Sequence, residues 1–181
     1  MALVVLLRGV NVGGHRTFSP AALTRQLQHL DVINVGAAGT FVIRRSVSLA
    51  QLRVELSRRL PFEAEIAICQ GREITRLLSG DFFTGNPERS DIVRFVSVLC
   101  RRPRLAPGVP MSFPPRGQWL LKVLAREDRF VIGMYRRHMK AIRYLGTLDR
   151  VFGVPVTTRN WNTITAIGKV LDRTALEASD R

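Results

Sequence analysis

The chain opens with the apolar run ALVVLL at residues 2–7, with no polar position inside it. An unbroken run of that length fits a strand covered on both faces. Arg8 ends it, and the glycine-bearing stretch RGVNVGGHRTF follows. Ser19-Pro20 then has the form of a helix start, with serine as the cap and proline at the first helical position. Ala22, Leu23, Leu27 and Leu30 recur after it at helical spacing. Val32–Val35 and Thr40–Ile43 are short β-branched and aromatic runs around GAAG, which predicts two strands and a glycine turn. Ser48 predicts a second helix cap. Leu49, Leu52, Leu56 and Leu60 fall on one face of that helix, and Pro61 stops it. AEIAIC, residues 64–69, reads as a fourth strand, and a short helix follows Gly71. The order β-α-β-β-α-β is the split βαβ, or ferredoxin-like, arrangement.

The pattern breaks at DFFTGNPERSD, residues 81–91, which is expected to connect two subdomains at residues 1–84 and 91–181. IVRFVSVLC predicts a strand. The proline-rich RRPRLAPGVPMSFPPRG predicts a loop with at most one helical turn. Trp119–Leu124 and Phe130–Tyr135 predict a hairpin around AREDR. Ile142–Phe152 reads as a helix closed by Gly153, and Val154–Val156 as extended chain. A last helix is expected from near Asn160, with Trp161, Ile164, Ile167, Val170 and Leu171 on one face and a fraying EASDR tail. The expected fold class is therefore α+β: two small ferredoxin-like subdomains packed together.

Charge adds a distinct feature. The 28 basic residues outnumber the 14 acidic ones, for a formal net charge of +14. Such a surplus attracts polyanions. Only Lys122, Lys140 and Lys169 are lysines; the other cations are arginines, spread as pairs such as Arg44-Arg45, Arg58-Arg59, Arg101-Arg102 and Arg136-Arg137. Dispersed pairs read as solvated faces more than as a nucleic-acid stripe, and base composition of the genome is the simpler source of so many arginines. Cys69 and Cys100 lie far apart, and His15, His29 and His138 are scattered, so no metal site is expected. No apolar run is long enough to span a bilayer and the N-terminal run lacks a preceding basic region, which makes a cytoplasmic protein, with no membrane partner, the expectation.

Two short stretches resist a purely structural reading. In RGVNVGG, residues 8–14, a strand and a glycine loop precede a helix, as in phosphate-binding loops. Gly9 and Gly14 have the Walker A gap, but His15-Arg16 stand where lysine and a hydroxyl are required. The dinucleotide fingerprint fails as well, because Val10-Asn11 follow Gly9. Either the glycines only serve the turn, or Arg8, Asn11 and Arg16 help the loop's backbone amides to hold an anion. The second stretch is TTRNWNT, residues 157–163. Asn160 is placed to cap the last helix, Trp161 to open it, and Arg159 stands beside the unsatisfied N–H groups of its first turn. A cap and a packed tryptophan account for Asn160 and Trp161 but not for Arg159 and Asn162.

Other chemistry is thinly represented. No nucleophile elbow and no paired carboxylates at helical spacing occur, so no catalytic residue, cofactor or reaction is assigned. An RNA-binding sheet of this class needs aromatics on its central strands, and GTFVIRR offers only Phe41 beside Val42.

LLRGVNVGG near the start and TRNWNT near the end, in that order and spacing, resemble the bacterial family labelled domain of unknown function 1697. The likeness extends through LTRQLQHL, LRVELSRRL and RNWNTITAIGKVL. It implies two ferredoxin-like α+β subdomains in a small cytoplasmic protein, and it implies no activity. The family motif falls on Arg8, Gly9, Asn11, Val12, Gly13 and Gly14, and on Arg159, Asn160, Trp161, Asn162 and Thr163. This chain departs from the pattern at Ala38-Gly39-Thr40, where the resemblance implies Ser-Gly-Asn, and at RRHMKAIRYL, where it implies a serine-lysine segment. The expectation carried forward is a small anionic ligand held by Arg8, Asn11, Gly13 and Gly14 with Arg159, Asn160, Trp161 and Asn162. The competing expectation is non-specific nucleic-acid binding through surface arginines.

Overall fold

The computed structural model describes residues 1–10 and 17–179. It is an α+β protein that divides into two units, Met1–Leu78 with Asn162–Arg181, and Ser79–Trp161.

In the first unit β1 (Leu3–Leu7), β2 (Val32–Asn34), β3 (Thr40–Ile43) and β4 (Ile66–Gln70) form one antiparallel sheet in the order β2-β3-β1-β4. Helix α1 (Pro20–Gln26) joins β1 to β2, and α2 (Leu49–Arg59) joins β3 to β4. Each βαβ unit is thus split by a strand of the other, as its element order predicts. The sequence caps form: Ser19 Oγ accepts from the Ala22 amide at 3.2 Å, and Ser48 with Gln51 makes a reciprocal capping box. The core gathers Leu3, Val5 and Leu7 of β1, Phe41 and Ile43 of β3, Leu23 and Leu27 from the α1 segment, and Leu52 and Leu56 of α2. Burying each such side chain stabilises by roughly 1.5–3 kcal/mol. Leu49, expected on that face, is instead 47% exposed, because it stands at the first helical position. On the opposite face of the sheet, Val4, Leu6, Val42, Ala67 and Cys69 are buried too, which accounts for the unbroken apolar run of β1.

Helices α3 (Gly71–Leu78) and α5 (Trp161–Ser179) complete this unit. The last helix, read from sequence as part of the second subdomain, groups with the first from Asn162 onward. The reason is contact with α3: Leu171 fills the space where a Cβ on Gly71 would stand, 2.9 Å from its Cδ2, and Leu78 lies over Gly168. The expected frayed tail is helical through Ser179, and Glu177 pairs with Arg44 at 2.7 Å.

In the second unit β5 (Ile92–Leu99), β6 (Met111–Phe113), β7 (Leu121–Glu127), β8 (Phe130–Arg136) and β9 (Val156–Asn160) form an antiparallel sheet in the order β6-β7-β8-β5-β9. With β6 set aside, the order β7-β8-β5-β9 repeats that of the first sheet. The proline-rich segment carrying β6 replaces the helix that would join the first two strands. Where sequence pattern allowed one helical turn, a short edge strand forms. Helix α4 (Met139–Phe152) starts earlier than its apolar pattern, since Met139 is 82% exposed and leaves no periodic trace. Gly153 closes it in the left-handed conformation, φ 68°. The core under α4 holds Phe95, Leu99, Leu121, Val123, Val131, Leu148, Phe152, Val154 and Val156.

Candidate functional site

The C-terminal motif is built on β9. Thr157 to Asn160, which the sequence placed between extended chain and a helix start, are strand, each paired with β5: Thr157 with Val98, Thr158 with Ser97, Arg159 with Val96 and Asn160 with Phe95. Strand alternation sends Thr157 and Arg159 to one face and Thr158 to the other. Thr158 Oγ1 lies 2.6 Å from Ser97 Oγ, so two hydroxyls satisfy each other under α4. Arg159 is only 7% exposed. Its Nη1 donates to Thr157 Oγ1 at 3.0 Å and to the Thr158 carbonyl at 2.8 Å.

The register explains the second of these bonds. Cys100 donates its amide to Pro155 O, which puts Val156 and Thr158 at positions whose backbone groups turn away from β5, to the sheet edge. Arg159 caps the Thr158 carbonyl there, and Asp149 Oδ1 of α4 accepts the Val156 amide at 3.1 Å. Side chains thus occupy backbone groups that an edge strand otherwise leaves for another chain. Burial lowers the Arg159 guanidinium well below its ordinary value, to about 10, with the nearby Cys100 sulfur acting in the opposite direction. A cation held so far from water costs folding energy unless oxygen ligands or an anion compensate.

Asn160 ends β9 and is exposed, Trp161 opens α5 and is half-buried, and Asn162 in the first turn is exposed. The indole of Trp161 stands edge-on to Phe83 at 5.0 Å and to Phe82 at 6.5 Å, and Arg94 lies 4.7 Å above the Phe83 ring. Trp161 therefore packs on the segment that opens the second unit. The α5 first turn carries no acidic side chain to offset the positive end of the helix.

Of the N-terminal motif, Arg8 to Val10 are described. The Arg8 amide donates to Glu65 O at 3.0 Å, Gly9 has φ 64°, and Val10 is buried. Gly39 lies against them: a Cβ there would stand 2.6 Å from Val10 Cγ2 and 2.9 Å from Leu7 Cβ, and Leu7 donates to Gly39 O at 2.8 Å. The segment Ala38-Gly39-Thr40, where this chain departs from the resembled pattern, is thus a neighbour of the first motif. Asn11, Gly13, Gly14, His15 and Arg16 lie outside the described residues, and with them the expected anion loop.

Sequence reasoning singled out Arg159 but missed Ser97, Thr157, Thr158 and Asp149, which fix its strand. A serine inside the apolar alternation VSVL was the one available sign. Phe41, the aromatic considered for RNA stacking, is buried in the first core. Among the described residues no group of three or more His, Cys, Asp or Glu could hold a metal ion, and no helix is long and apolar enough to cross a membrane.

The family described as "Protein of unknown function (DUF1697)" matches residues 1–108, which include the N-terminal motif and all four strands of the first sheet. The chain belongs to this family. Among solved structures, this DUF1697 chain is similar to a conserved bacterial protein from Streptococcus pneumoniae, at 17% identity and a TM-score of 0.59, over 94% of this chain and 98% of that one. At that identity the likeness is one of fold. None of the curated proteins matches.

Proposed function

We propose that this DUF1697 protein binds a small anionic ligand, with the guanidinium of Arg159 supplying the charge. The observation that carries the reading is the burial of that guanidinium at the end of β9, immediately before the start of a 19-residue helix. A planar fork of donors suits a carboxylate or phosphate, and low local polarity strengthens such a pair. Asn160, Trp161 and Asn162 are the proposed accompanying contacts. Arg8, Asn11, Gly13 and Gly14 of the other family motif are proposed as a second set of binding residues, each set tested separately. We place the protein in the cytoplasm, a compartment that suits two buried thiols, Cys69 and Cys100.

The test is a thermal-shift panel of phosphate, nucleotides, sugar phosphates and dicarboxylates, run at low and high salt. One small anion is expected to raise the midpoint at both salt concentrations, with the shift lost in Arg159→Met; a shift lost in Arg8→Ala instead would assign that anion to the other set. Shifts produced only by polyanions and erased by salt would replace this reading with general attraction by the +14 charge.

A further inference from the structure

Three segments meet at one end of the second sheet: the start of β5, the start of β7 and the end of β8. Arg136 donates its amide to Leu120 O, and Arg137 donates its amide to Asp91 O. The partly exposed Trp119 stands there with the Arg136 guanidinium 4.4 Å and the Lys122 ammonium 4.9 Å from its ring centre. Arg136 is locked in place: Nε donates to Trp119 O at 3.0 Å and Nη1 to Asp91 Oδ2 at 3.0 Å. The Asp91 carboxylate also accepts from Arg89, at 2.8 and 3.2 Å, and these cations hold its pKa below the usual range. Asp91 is thus shared between two arginines. Arg137, tethered by Nε to Ser90 O at 2.8 Å, is exposed, as is Lys140 at the start of α4.

We infer that this end of the sheet, formed by Trp119, Lys122, Arg136 and Arg137, docks single-stranded nucleic acid. The chemistry matches in two independent respects. Cations exceed carboxylates locally, so phosphates find unneutralised partners. The Arg136 guanidinium lies over the indole and backs it, and the Lys122 ammonium, on a flexible stem, can leave the ring for a phosphate and give up its place over the indole to a base. A duplex hides its base faces, and an acidic peptide has none to stack. This surface uses none of the residues of the proposed anion site, so either assignment can fail alone.

The experiment is fluorescence anisotropy of a labelled oligouridylate of about a dozen nucleotides, within the range of known single-strand sites. Wild type, Trp119→Phe, Trp119→Leu, Lys122→Gln and Arg72→Gln are compared. Trp119→Leu is expected to weaken binding about 5- to 100-fold, Trp119→Phe to retain most of it, and Lys122→Gln to lower the logarithmic salt slope by about 0.7. Arg72→Gln, an exposed cation of the first unit, is expected to bind nearly as wild type does, and a duplex of the same length more weakly. Thermal midpoints check that each variant is folded. No binding by the wild type, or equal affinity for Trp119→Leu and Trp119→Phe, overturns the inference.

Discussion

Gly133 sits in the middle of β8, opposite Phe95 of β5 and Val123 of β7. A Cβ added there would stand 2.7 Å from Phe95 Cζ and closer still to the Lys122 carbonyl oxygen, beside the register shift between Val123 and Ala125. One obstacle is a backbone atom and the other a core aromatic in the α4 cluster, so neither can swing aside. Gly133→Ala gains about 0.4–1 kcal/mol from a less flexible unfolded chain. Overpacking costs about 1–3 kcal/mol, and contact with backbone favours the upper end. The expected net loss is about 2 kcal/mol, or roughly 4–8 °C in the thermal midpoint for a chain of this length. Gly146 is the internal control: it is exposed within α4, and a Cβ added there would meet nothing within 4 Å. Gly146→Ala should raise the midpoint by about 1–4 °C through helix propensity alone. The assay is calorimetry or circular dichroism on both variants. If Gly133→Ala matches or exceeds wild-type stability, the packing at the centre of the second sheet is not as described.

Asp149→Ala removes the acceptor of the Val156 amide and should cost about 1–3 kcal/mol, whereas Asp149→Asn keeps an oxygen there and should recover most of it; equal midpoints for the two variants would refute that role. For Arg159, a pKa of about 10 in the folded state lies below the ordinary arginine value, so burial of the charge costs stability throughout the neutral range. The unfolded chain then binds the proton more tightly, and stability rises with pH only above the folded value. The unliganded Arg159→Met protein should therefore be at least about as stable as wild type between about pH 6 and 9, with the difference narrowing above about pH 10. A variant that fails to fold, or a gap that changes across neutrality, would contradict this.

Elements with local signals could be read from the chain. Serine caps announced α1 and α2, an unbroken apolar run announced β1, and alternation around AREDR announced the β7–β8 hairpin. What escaped depends on partners. Thr157–Asn160 have no apolar alternation, and become strand because β5 offers them an edge. A short strand within prolines carries too few positions to show a period, which hid β6. The apolar stripe of α5 shows that it has a buried face but not which unit supplies the cover. The same holds for the site. Arginine and asparagine in TRNWNT marked the place, while the burial of Arg159 and its bonds to Thr157 and Thr158 follow from the register of β9.

Isothermal titration calorimetry of wild type and Arg159→Met, with the small anion that gives the largest thermal shift, addresses the central claim most directly. A single-site isotherm for the wild type, weakened about 10- to 100-fold in the variant and little affected by salt, is the predicted result for a desolvated guanidinium–anion pair. Equal affinities in the two proteins, or binding that vanishes with salt in both, would contradict it.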